Sequence, residues 1–124
     1  MTLTKDEILG LSDIQVKEID VPEWSASVYI KQLTRGEADE YMSRRFSKTE
    51  MKQAGIESNV SLFGHDAWLV ARGVCDEDGK RLFTNSDIKK LEEKNANAIG
   101  RISVEIMEFS SMKKDVEELE ELKN

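Results

Sequence analysis

Asp78-Gly79 lies between an apolar helical run that closes near Val74 and a polar helix that opens after Thr84, and this reversal orders the rest of the chain. Gly accepts positive φ without penalty and Asp tolerates it, so the pair closes a tight turn. The flanking Val74, Cys75, Leu82 and Phe83 suit two very short facing strands or an extended corner. Thr84 or Asn85 can cap the next helix, with Asp87 near its positive end. The segment from Val70 to Lys94 therefore specifies architecture and no chemistry.

The totals narrow the class. At 124 residues, the chain reads as one domain over 1–124, able to bury about two-thirds of its unfolded surface. Apolar residues make up 39% and charged residues 35%, a mixture that favours a helix-rich globule with solvated outer faces. No apolar run approaches the roughly 20 residues that cross a bilayer, and Met1 to Glu7 has no signal-peptide pattern. A single cysteine cannot form an internal disulfide, which fits a reducing cytoplasm. The net charge of -7 opposes binding to a phosphate backbone. Neither nucleic acid nor membrane is expected as a partner.

Local signals divide the chain into short elements. Thr4-Lys5-Asp6-Glu7 is a capping box for a helix holding Ile8 and Leu9, which Gly10 ends; residues 1–12 are expected to be weakly held or frayed. Ile14 to Val21 and Ala26 to Leu33 form a hairpin about Pro22-Glu23-Trp24-Ser25. Val28 and Ile30 share one face of the second arm, whereas in the first arm Ile14 and Val16 oppose Ile19 and Val21. That phase change implies a bulge, a bend or burial on both sides. Trp24 reads as an anchor for the hairpin, with a partner contact as the alternative.

Thr34-Arg35-Gly36-Glu37 is a second capping box, and Ala38, Tyr41, Met42 and Phe46 follow at helical spacing. Arg44 and Arg45 are expected to flank the end of that helix, and residues 47–61 to be mobile and variable. Val60, Phe63, Ala67, Val70, Ala71 and Val74 mark the core helix; should Gly64-His65-Asp66 break it, Asp66 is the expected cap. Asn95-Ala96 either continues or restarts the helix after Lys94. Ile99, Ile102, Ile106 and Phe109 then form a narrow seam. Ser110-Ser111 separates it from a terminal acidic helix over 112–124. The predicted fold class is α+β: mainly helical, with an N-terminal β-hairpin and a corner at Asp78-Gly79.

Catalytic, cofactor and metal sites are all read as absent. His65 and Cys75 are the lone residues of their kinds, too few for a structural zinc site, and no motif makes them a nucleophilic pair. Aligning Gly79 with the glycine of a calcium loop puts Val74 at the first ligand position and Asn85 where a bidentate Glu belongs, so that reading fails. No phosphate-cradling glycine loop or dinucleotide fingerprint occurs. Nothing argues for an enzyme.

The order of pieces resembles the tail assembly chaperones of long-tailed, siphovirus-type bacteriophages. The resemblance runs from about Ile14 onward, through the Pro22-Glu23-Trp24 hairpin and Leu33-Thr34-Arg35-Gly36-Glu37. It rests most on Val74-Cys75-Asp76-Glu77-Asp78-Gly79-Lys80-Arg81-Leu82-Phe83, and closes on Asp115-Val116-Glu117-Glu118-Leu119. Residues 47–61 have no counterpart. The resemblance implies a non-catalytic protein of the host bacterial cytoplasm, absent from the mature virion. It implies binding to the tape-measure protein, and recruitment of tail-tube protein through a longer frameshifted form. A helical client needs an apolar stripe bounded by charge, and Ile106, Met107, Phe109, Met112, Val116, Leu119 and Leu122 are the candidates; ordinary core is the competing reading. A structural tail completion or connector protein and a host-directed regulatory protein are the functional alternatives. Unpaired hairpin edges favour self-association into a homo-oligomer.

Overall fold

In the computed structural model the backbone is described over residues 1–53 and 64–122, and side chains at 46–53, 119 and 122 fall outside the description. The chain runs α1 (Lys5–Leu9), β1 (Val16–Val21), β2 (Ala26–Lys31), α2 (Arg35–Gln53), α3 (His65–Gly73), β3 (Val74–Cys75), α4 (Ile88–Leu91), α5 (Ala96–Phe109) and α6 (Lys113–Leu122). The architecture is α+β, with a small antiparallel sheet packed on helices.

The sheet has the order β1-β2-β3. β1 and β2 pair without interruption from Val16 opposite Lys31 to Val21 opposite Ala26, so no bulge accompanies the phase change. The hairpin closes through a 3-10 turn at Pro22–Trp24, with Ser25 at φ 50°. β3 adds to β2 with Tyr29 opposite Cys75 and Ile30 opposite Val74, and Cys75 also bridges to Arg81. The expected pair of facing strands is thus one two-residue strand and a bridge.

Beyond β3, Asp76 organises the turn: its Oδ1 accepts from the N–H of Asp78 at 2.8 Å and of Lys80 at 2.9 Å. Gly79 takes φ +86°, and a Cβ there would lie 3.2 Å from Val16 Cγ2. The acidic turn therefore crosses the outer face of the sheet and covers Val16. Ile19 and Val21 point the other way, into the core. The two apolar phases of β1 meet two different layers, while Ile14 lies before the strand and stays exposed.

α2 starts at its predicted box, with Glu37 N–H donating to Thr34 Oγ1 and Thr34 N–H donating to Glu37 Oε1, each at 3.1 Å. It does not end at Arg44-Arg45 but continues to Gln53. Residues 44–53 contain neither Gly nor Pro, and Ser or Thr costs a helix interior only up to about 0.7 kcal/mol. Arg45 donates to the Tyr41 hydroxyl at 2.7 Å and pairs with Glu120 of α6. The segment expected to be mobile is helical to Gln53; residues 54–61, with Val60 and Phe63, lie outside the described residues.

α3 is the core helix, with Ala67 through Ala71 and Gly73 all buried. Gly64, at φ 82°, stands at its N-cap position. Asp66 does not cap it; its Oδ1 accepts instead from Ser103 Oγ of α5 at 2.8 Å. Trp68 stacks obliquely on Tyr41, ring centroids 6.1 Å apart, and the Arg72 guanidinium lies 4.9 Å from the Trp68 ring. Arg72 also reaches Glu37 at 3.8 Å and Glu40 at 3.5 Å, fastening α3 to α2. Arg81 Nε donates to the Ala71 carbonyl at 3.0 Å, a cation at the negative end of the helix.

After the turn, the Asp87 carboxylate accepts from Thr84 N–H at 2.8 Å. α4 is short, and the chain restarts at α5, where Asn95 Oδ1 accepts from Ala98 N–H at 3.0 Å.

Candidate partner-binding site

α5 packs against α3 and against β1 and β2, which fixes the fate of its seam. Ala98, Ile99, Ile102, Ser103, Ile106 and Met107 are buried. At the far end, Gln32 Nε2 donates to the Phe109 carbonyl at 3.2 Å and Leu33 N–H donates to Ser110 Oγ at 2.9 Å, tying the helix terminus to the end of β2. Ser111 then adopts φ 57° and Met112 N–H donates to the Met107 carbonyl at 2.8 Å. This reversal folds α6 back, so that Met112 and Val116, one helical turn apart, point inward.

Of the seven predicted contact residues, Ile106, Met107, Met112 and Val116 are all less than a tenth exposed and join the core. They are not an open stripe. Phe109 is half-buried, with the Lys17 ammonium 4.7 Å from its ring centroid. Leu119 and Leu122 are in α6, their side chains outside the described set. The predicted acidic fringe is present: Asp115, Glu117, Glu118 and Glu121 are exposed. Lys113 bonds Glu108 at 2.9 Å, and that carboxylate raises the lysine's affinity for its proton.

The sequence reading missed a different apolar surface. Leu3, Ile8, Leu9, Leu11 and Ile14 are all exposed, and α1 buries none of its residues. Its capping box is formed, with Glu7 N–H donating to Thr4 Oγ1 at 3.3 Å. An apolar cluster on a helix too short to persist by itself was the available signal. Trp24 and Val104 are also exposed, at 38% and 41%. The hairpin turn is held by its neighbour Glu23, which takes a two-pronged bond from Arg101 (2.9 and 3.0 Å).

His65 opens α3, whose axis is about 12 Å long at 1.5 Å per residue, and Cys75 lies in β3 beyond its far end. Burial pushes the Cys75 thiol up, away from the reactive thiolate. Among the described residues, no cluster of His, Cys, Asp or Glu is arranged to hold a metal ion, and no helix is long and apolar enough to cross a membrane.

The described residues thus form a small hairpin sheet packed on helices, with a charged helical C-terminus. Residues 9–121 match the family model for phage tail assembly chaperones, and the chain belongs to that family. The fold is similar to that in the structure of the bacteriophage HK97 tail assembly chaperone, with a TM-score of 0.54 and 18% identity over 81% of this chain and 85% of that one. No curated protein sequence matches the chain.

Proposed function

We propose that this protein is a non-enzymatic assembly factor that binds the phage tape-measure protein, keeps it soluble, and helps bring tail-tube subunits to it. The match of 9–121 to the tail assembly chaperone family carries this reading. It favours a chaperone over a tail connector or a host-directed regulator. The work takes place in the host bacterial cytoplasm, and the protein leaves before the virion is complete. Recruitment of tube protein falls to a longer frameshifted form.

The burial of Ile106, Met107, Met112 and Val116 sets a condition on the client surface. A client helix reaches Met107, Met112 and Val116 only by displacing α6 about Ser110-Ser111, while Ile106 stays packed against Gly73 of α3. Acid side chains along α6 would then border a helix laid in its place. Met112 just before α6 and Val116 within it are buried anchors, with the Arg45–Glu120 and Lys113–Glu108 pairs around them.

Co-expression with the tape-measure protein tests the reading. The soluble fraction of that protein should rise when this chain is present. An unchanged soluble fraction would count decisively against it. Met112→Asp should leave the α3–α5 core folded, as circular dichroism would show, while altering the solubilising effect.

A further inference from the structure

Among the described residues, the outer edge of β1 has no partner. β1 pairs only with β2, and among the described residues nothing bonds the backbone groups on its other side. An unpaired six-residue edge is a template for another strand. Its side chains determine which strand.

On the outer face, Glu18 and Asp20 are exposed, and Glu77 of the acidic turn lies close enough to raise the Tyr29 phenol. On the inner face, Lys17 is already engaged by Glu105 and by the Phe109 ring. Arg101 and Glu105 of α5 reach the hairpin at Glu23 and Lys17. Val104 of the same helix is 41% exposed and lies one turn from Arg101.

A second copy is a poor occupant. A two-fold antiparallel pairing that keeps both core faces on one side must set Glu18 opposite Glu18, or Glu18 opposite Asp20, in the registers that overlap most of the strand. Like charges directly opposite are destabilising. We infer that the β1 edge is a docking site for an extended segment of another polypeptide in which Lys or Arg alternates with apolar residues. The basic side chains meet Glu18 and Asp20, and the apolar ones lie over Val104. This inference stands apart from the client surface proposed above, since it uses the sheet and not the C-terminal helices.

The probe is a synthetic peptide of alternating lysine and valine added to the intact chain, with backbone amide exchange followed by NMR. The peptide should slow exchange of the outward-facing β1 amides by about tenfold or more. Replacing Glu18 and Asp20 together by Lys should weaken binding by about tenfold. Both residues are exposed, and circular dichroism verifies that this variant folds. A peptide of the same composition with its lysines and valines in separate blocks, or one N-methylated at alternate residues, should give no protection of β1. Equal protection by the blocked peptide, indifference to the charge reversal, or protection elsewhere would overturn the inference. So would edge amides already protected in a free protein that sediments as a dimer, because a second copy would then be the occupant.

Discussion

Gly73 and Ile106 touch where α3 crosses α5: a Cβ on Gly73 would lie 2.8 Å from Ile106 Cγ1 and 2.9 Å from its Cγ2. Ile106 is fully buried. Gly73→Ala should therefore destabilise the protein by about 1–3 kcal/mol through overpacking. Ile106→Ala alone should cost about 2–5 kcal/mol. The double variant should lose less than the two losses added, because each change relieves part of the other. Urea unfolding of the four proteins measures this, and strict additivity would refute the contact as the cause.

The reciprocal Thr34–Glu37 bonds start α2. Thr34→Ala should cost about 1 kcal/mol, and Thr34→Ser should restore most of it. Thermal unfolding by circular dichroism gives the comparison. A loss that serine does not recover would point to the methyl group's packing.

Arg101 holds the Glu23 carboxyl below the usual glutamate range. A carboxylate whose pKa is depressed by folding contributes stability above its unfolded pKa, and that stability is lost as pH falls through the folded value. The stability difference between wild type and Arg101→Ala should thus be present at neutral pH and vanish in acid below the ordinary glutamate range. It should also shrink with added salt, since Arg101 is 46% exposed. Denaturant midpoints measured across pH test the sign, and a gap that widens in acid would contradict it.

Cys75 is buried on β3, and burial raises its thiol. Thiol reagents attack the thiolate, so native protein should label slowly and denatured protein at the rate of a free cysteine. Labelling followed with and without urea measures both rates. Fast native labelling would mean that β3 detaches readily from β2.

What could be read in the sequence was local. The boxes at Thr4 and Thr34 are visible because each signal spans a single helical turn, and the Asp78-Gly79 turn because one residue must accept positive φ. The errors arose where a local signal met a distant partner. Arg44-Arg45 imitates a helix end, but α2 runs on to Gln53, with Arg45 paired to Glu120 from the far end of the chain. Asp66 has a cap's chemistry, yet Ser103 takes its carboxylate, and no spacing rule connects those positions. For the C-terminal stripe, contact surface and ordinary core are both open in the sequence. Periodicity identifies Ile106, Met107, Met112 and Val116 as apolar on a helix, but only the left-handed Ser111 folds α6 back and turns Met112 and Val116 inward.

The passage from α3 into β3 has no loop: Gly73 ends the helix and Val74 begins the strand. The junction has no slack to absorb a change in length. Adding one residue there would turn the strand over, sending Cys75 toward the helices and Val74 toward the acidic turn. The same addition at Glu77-Asp78 would only enlarge a surface bend. Length variation between these positions should therefore be tolerated on one side of Cys75 and lethal to the sheet on the other, a polarity that insertion scanning would expose directly.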